Sequence, residues 1–229
     1  MLVAAFVQVL FHPCDIVHYH ALGPSLFSFL PRLAGKKTVV TVQGLDWHRK
    51  KWNRLAAWVL RLGERAAILL PDRTMVVSQS HYAKRFGAET IHVPNGTPLR
   101  ERCGIKRIPD WGLEAREYIL FLGRFLPEKN CNPLIEAYEH LNTRAQLVLA
   151  VGANLEGLSL ALLEAMGAGL CVLASDIPEN RELLDGAGFL FQPGNVVDLE
   201  RMLRFLISDA SARAWAGKHA QQRIRQYYL

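Results

Sequence analysis

The stretch Glu156-Gly157-Leu158-Ser159-Leu160-Ala161-Leu162-Leu163-Glu164-Ala165-Met166-Gly167-Ala168-Gly169, followed directly by Leu170-Cys171-Val172-Leu173-Ala174-Ser175, decides how this chain is read. The second part is a Gly-bounded run of small and branched apolar residues, the pattern of a parallel strand buried on both faces. The first part is a loop turning into a helix. Leu158, Leu162, Leu163 and Met166 recur at helical spacing, and Gly167 and Gly169 supply the stop. Two carboxylates remain, Glu156 before the helix and Glu164 inside it. Eight helical residues advance about 12 Å, whereas carboxylates that flank one glycosidic bond stand roughly 5–9.5 Å apart. The pair is therefore spaced to hold two ends of an elongated ligand, such as the sugar and the ribose of a sugar nucleotide. Spacing alone leaves a plainer alternative open: Glu156 facing the helix dipole and Glu164 on a solvated face.

The words around the two carboxylates carry more. Glu-Gly-Leu-Ser-Leu-Ala-Leu-Leu-Glu-Ala-Met, then Gly-x-x-Val-x-Ala-Ser-Asp, resembles the E-x7-E signature of retaining glycosyltransferases of family four, group 1. The resemblance implies a GT-B fold, two Rossmann-like α/β domains with parallel sheets. It also implies sugar transfer from a nucleotide donor with retention of anomeric configuration, without a bound metal. Glu164 would bind the ribose and Glu156 the donor sugar.

Length and composition bound this expectation. The chain has 229 residues, 50% hydrophobic and 21% charged, an ordinary globular composition with material for one good core or two small ones. Two complete Rossmann-like domains need about 300 residues or more, so both are expected to be incomplete. The net charge of +6 suits phosphate ligands or an anionic membrane surface and is too diffuse to argue nucleic acid. Cys14, Cys103, Cys131 and Cys171 lie far apart with no metal-ligand spacing, as expected of reduced cytosolic thiols. Met1 to Phe11 is apolar, too short to span a bilayer and without a basic leader; it reads as a helix packing on a sheet.

In the first half, Asp15-Ile16-Val17-His18-Tyr19-His20 is a short strand with both histidines on one face. Ligands of open parallel sheets bind off the carboxyl ends of strands, which places His20 better than His18. The D-h-V-H-x-H pattern resembles the family's, where a His stands near the transferred sugar. Lys36 to Val42 is a β-branched strand buried on both faces. It runs into Gln43-Gly44-Leu45-Asp46-Trp47, where the family has His-Gly-Leu-Asp-Trp; Gln43 hydrogen-bonds but does not titrate near neutrality. From Trp47 to Arg65 a basic amphipathic helix is expected. Its apolar stripe is Trp52, Leu55, Val59 and Leu62, with Trp58 beside it and Arg49, Lys50, Lys51, Arg54 and Arg61 supplying charge. Two readings stay open: a helix facing the core with a solvated basic side, and an interfacial helix on anionic lipid. Asp72 to Ser78 and Ile91 to Val93 are further strands. Ser78 to Ser80 caps a helix carrying Tyr82 and Phe86, and Val93-Pro94-Asn95-Gly96 resembles the family's domain crossing.

In the second half, Tyr118 to Leu122 is a buried strand ending in Gly123-Arg124. With Lys129, Arg124 brackets a strand-to-helix turn suited to a diphosphate. This resembles the family's G-R-x-x-x-E-K motif, whose Arg and Lys meet the donor diphosphate. Gly123, Gly157, Leu158 and Ser159 complete the donor-binding set that the resemblance implies. Gln146 to Gly152 is the next strand, and only Asn154 and Leu155 separate Ala153 from Glu156. The family carries about 50 further residues there, roughly two βα units, so an internal shortening after Ala153 is expected, with another at the N-terminus. The strands at 146–152 and 170–175 are then expected to lie parallel, adjacent or one strand apart. Phe189 to Asn195 is a strand and turn, and Asp198 to Leu206 and Ser211 to Tyr227 are amphipathic helices. The expected organisation is an acceptor-side domain at 1–96, a linker at 97–117 and a nucleotide-sugar domain at 118–229. A nucleotide sugar and a sugar or lipid-linked acceptor would be its partners, in polysaccharide or glycoconjugate biosynthesis. The expected place is the cytoplasm, peripheral at the inner membrane face. The alternative is a non-catalytic remnant that binds a membrane surface or a partner.

Overall fold

The structure is a computed structural model that describes residues 13–44, 54–78, 89–97, 99, 108–122, 131–150 and 158–229. The chain divides into two compact units, Met1–Pro94 and Asn95–Leu229.

The first unit is a parallel sheet of four strands, β1 (Ile16–His20), β2 (Lys37–Val42), β3 (Arg73–Val76) and β4 (Ile91–His92), in that spatial order. The short helices α1 (Leu22–Ser25) and α2 (Leu30–Leu33) connect β1 to β2, and α3 (Arg54–Leu69) precedes β3. Register pairs Ile16 with Lys37 and His20 with Thr41. The β-branched residues of β2 explain its central place: Thr38, Val40, Thr41 and Val42 are all buried. Leu22, Val40, Val42, Ala67 and Val76 form the core, with Tyr19 and Leu60 against it. Helix α3 meets this core through small residues. Gly63, Ala66 and Ala67 are buried, and a Cβ on Gly63 would stand 2.1 Å from the Leu22 carbonyl oxygen. The buried Ser25 hydroxyl lies 2.7 Å from the Gly63 carbonyl, and Thr74 Oγ1 donates to the Ala67 carbonyl at 2.6 Å, so polar groups tie α1 and β3 to α3.

The second unit holds two parallel strand pairs. In one, β5 (Tyr118–Leu122) pairs with β6 (Gln146–Ala150) across helix α4 (Cys131–Glu139). Helix α5 (Leu158–Gly167) then leads to β7 (Leu173–Ser175), which pairs with β8 (Phe189–Phe191) across α6 (Pro178–Leu184). Two helices close the chain, α7 (Val196–Ser208) and α8 (Ala210–Tyr227). The side chains of Asn195 and Asp209 cap them, accepting from the amides of Asp198 and Ala212. One core joins Leu162, Leu163 and Met166 of α5 to Val172, Ala174, Leu183 and Leu184 and to Ala220 and Ile224 of α8. A second joins Ala137, Leu199 and Leu203 to Ile119 of β5 and to Leu173 and Phe191 of β7 and β8. Helices α4 and α7 thus cover both strand pairs.

The strands at 146–150 and 173–175 do not pair with one another. Among the described residues each takes its partner across one short helix, β5 with β6 and β7 with β8. The adjacent pairing expected across α5 is thus not formed. The strand at 118–122 also differs from the buried reading. No residue of β5 is buried, and Leu120 is 47% exposed. The helices expected at Met1–Phe11 and after Ser80 lie outside the described residues.

Candidate functional site

Two places carry the candidate residues, one in each unit. In the first unit, His20 closes β1 at the carboxyl end of the sheet. The His18 and His20 rings stack with centroids 4.2 Å apart, since both lie on one face of the strand. His18 Nε2 is 2.7 Å from Thr41 Oγ1 on the neighbouring strand. Burial, and then the adjacent His20, lower the His18 pKa below the ordinary imidazole value, so His18 stays neutral at pH 7. It holds a fixed orientation beside His20.

The chain turns sharply directly after His20. Ala21 has φ 73° and ψ 167°, a region that side-chain-bearing residues avoid and that recurs at binding sites. Its amide donates to the Thr41 carbonyl at 3.1 Å, continuing the β1–β2 ladder, and Leu22 beyond it is fully buried. The strain is held by the ladder on one side and the core on the other. Gln43 follows β2 at the same end of the sheet and is exposed. Neither the Thr41 contact nor the Ala21 geometry is visible in the sequence, since both arise from strand register.

In the second unit the site is built on α5. The helix spans Leu158–Gly167, so Leu158 and Ser159 form its first turn, where backbone N–H groups lack helical partners and favour anions. Leu162, Leu163 and Met166 point into the core. Glu164 and Leu160, four residues apart, share the opposite, exposed face. Glu164 is thus presented outward by a helix whose other side is anchored. The helix ends in a tight turn, with Gly169 at φ 69° and the Leu170 amide donating to the Ala165 carbonyl at 3.0 Å. Beyond it, the carboxyl end of β7 is fixed by Asn180, buried, whose Nδ2 donates to the Ser175 carbonyl at 2.8 Å. Arg181 Nη2 meets Asp176 Oδ2 at 2.6 Å and holds that carboxylate below its usual pKa.

Of the sequence-derived candidates, His20 and Glu164 are described in full, and Leu158 and Ser159 by backbone. Gly123, Arg124, Lys129, Glu156 and Gly157, and the side chains of Leu158 and Ser159, lie outside the described residues. Among the described residues no group of three or more His, Cys, Asp or Glu is arranged to hold a metal ion. Cys14, Cys131 and Cys171 are free.

In an open parallel α/β sheet, the carboxyl end of a strand, where His20 stands, is the edge at which ligands bind. Residues 143–223 match the family model described as glycosyl transferases group 1. This segment is similar to that family, and the α/β elements with parallel strands match the architecture of GT-B glycosyltransferases. A sulfoquinovosyl transferase of Arabidopsis thaliana is 38% identical over 87 residues, covering 35% of this chain and 17% of the relative. An uncharacterized glycosyltransferase of Bacillus subtilis is 30% identical over 162 residues, 67% of this chain and 43% of the relative. The chain thus spans less than half the length of either curated relative. Among solved structures, the sucrose-phosphate synthase of Thermosynechococcus elongatus superposes with a TM-score of 0.82 at 16% identity, over 99% of this chain and 73% of that one. HepE of Anabaena, solved in complex with UDP-glucose, gives 0.76 at 16% identity, over 99% and 78%.

Proposed function

We propose that this chain transfers a sugar from a nucleotide-sugar donor to a sugar or lipid-linked acceptor, with retention of anomeric configuration. The observation that carries this reading is the E-x7-E segment: it lies inside the family match at 143–223, and Glu164 stands exposed on α5. The HepE complex with UDP-glucose supports a nucleotide sugar as donor. In this reading Glu164 hydrogen-bonds the ribose and Glu156 the donor sugar. The first-turn amides of α5, at Leu158 and Ser159, face its anionic part, with Gly157 next to them in the donor-binding set. Arg124 and Lys129, beside Gly123, balance the charge that develops on the leaving diphosphate, so no metal is required. His20 faces the sugar. Residues 118–229 bind the donor, residues 1–96 serve the acceptor and residues 97–117 link them. The reaction belongs to polysaccharide or glycoconjugate assembly in the cytoplasm.

Titration calorimetry with a set of common sugar nucleotides tests it. The unmodified chain is expected to bind one of them, Glu164→Ala to bind it at least about tenfold more weakly, and Arg124→Ala to lose about 10²-fold in turnover. Binding of none of the set overturns the donor reading. The anomer of the product, read by NMR, decides retention. A second reading, a non-catalytic remnant, is favoured by Gln43 where the family has His and by the two residues between Ala153 and Glu156; turnover of any sugar nucleotide refutes it.

A further inference from the structure

His18, His20 and Thr41 share one face of the paired strands β1 and β2. Register sets His20 opposite Thr41, and residues two apart on a strand point the same way, so His18 lies behind His20 on that face. Both histidines are exposed, so core packing does not fix their rings. Two contacts do. His18 Nε2 lies 2.7 Å from the Thr41 hydroxyl, and Thr41 is buried on the central strand. The His20 ring rests against His18 with centroids 4.2 Å apart and planes tilted by 34°. The main chain at His20 is fixed as well, because the Ala21 amide donates to the Thr41 carbonyl and Leu22 is fully buried. Between those anchors Ala21 holds φ 73° and ψ 167°, a region essentially reserved for glycine. A strained residue is thus kept in place directly after His20.

We propose that His18 is a positioning residue: held by Thr41, its ring is the seat that sets the direction of the His20 ring at the carboxyl end of the sheet. This deepens the reading in which His20 faces the transferred sugar, and it rests on that reading. His18 stands two residues back from the strand end, about 7 Å, and so acts through His20 rather than on the sugar. Its ring stays neutral at pH 7, since burial and then the neighbouring His20 lower its pKa; a neutral ring stacks without setting a second cation beside its neighbour. Orientation matters at such a point, because a misplacement of about 1 Å can cost about 10²-fold in rate. The role asks for a flat ring at position 18 and not for a proton. An exposed histidine without a seat would sample several rotamers, and a buried hydroxyl one strand away removes that freedom from His18 and, through the stack, from His20.

Two variants of the full chain test it. His18→Ala removes the seat. His18→Phe with Thr41→Val removes both polar partners together, which leaves no group unpaired, and keeps an aromatic ring at position 18. The first readout is the proton NMR signals of the His20 ring, assigned by their loss in His20→Asn. His18→Ala is expected to move them, because the ring current of residue 18 is gone, and the double variant to keep them shielded by a stacked ring. The second readout is turnover of the sugar nucleotide that the parent chain uses. kcat is expected to fall about 10²-fold in His18→Ala and to recover by at least about tenfold in the double variant, while calorimetric affinity for the nucleoside diphosphate stays unchanged in both. His20 signals that His18→Ala leaves unmoved, or a double variant no more active than His18→Ala, overturns the proposal. So does a loss of nucleoside diphosphate affinity in step with kcat, which would mark a general structural role. A parent chain that turns over no sugar nucleotide sinks the proposed function instead, and the His20 signals alone then decide whether His18 seats that ring.

Discussion

Asp72 illustrates how one side chain fastens several pieces of the first unit. Its Oδ2 accepts from the Thr38 amide at 2.8 Å. Arg32 of α2 and Lys37 of β2 each stand 3.6 Å away. The Thr38 amide first, and then Arg32 and Lys37, hold the carboxyl below its ordinary pKa. A carboxylate whose folded pKa is depressed contributes stability above its unfolded value, near 3.9, and that contribution is lost as pH falls through the folded value. Asp72→Asn is therefore expected to lower Tm at pH 7, with the gap to the parent chain closing as pH drops below about 3.9. Thermal melts across that range check it, and a gap independent of pH would show that hydrogen bonding, not charge, sets the contribution.

Among the elements, α8 makes the sharpest demand on its sequence. Ala216, Gly217, Ala220 and Ile224 are its buried residues. A Cβ on Gly217 would stand 2.2 Å from the Gly169 carbonyl oxygen, in the turn that ends α5. Backbone cannot yield as a flexible side chain would. Ala in a helix interior normally gains about 1 kcal/mol over Gly, but here overpacking costs about 2 kcal/mol. Gly217→Ala is thus expected to lower Tm by about 2–4 °C, a shift of opposite sign to helix propensity and easily read by calorimetry. Arg223 makes a second contact, with the end of α6, donating to the carbonyls of Leu183 and Glu182 at 2.7 and 2.8 Å and meeting Asp185 at 2.9 Å. Helix α8 therefore clamps both α5, which carries Glu164, and α6, which follows β7.

For the whole molecule, the division at Pro94 and Asn95 separates the candidates unequally. Both cores built on α5 and α7 lie within the second unit, as do Arg124, Lys129, Glu156 and Glu164. Residues 95–229 expressed alone are accordingly expected to fold cooperatively. On the proposed function, they bind the same sugar nucleotide within a few-fold of the full chain while losing transfer. Circular dichroism and calorimetry check the two halves of that statement separately. A folded fragment that has lost donor binding would place part of the donor site in the first unit.

Much of this was legible in the residues. Strand and helix positions, the α5–β7 unit and the family resemblance follow from local periodicity and from short motifs, which depend on nearest neighbours along the chain. Periodicity also located an apolar stripe at Leu55, Val59 and Leu62, but it could not tell which side of α3 is buried. Tertiary structure decided that: Gly63, Ala66 and Ala67 let the helix approach the Leu22 backbone closely, and close approach through small residues left the larger ones outside. The same holds for strand pairing, where local crossovers joined β5 to β6 and β7 to β8, and for Ala21, whose strain comes from the register of β1 on β2. The sequence by itself determined which elements form and which chemistry they carry, because those depend on composition and spacing. Which faces and which strands meet depends on contacts between residues far apart in the chain, and only the folded structure holds that information.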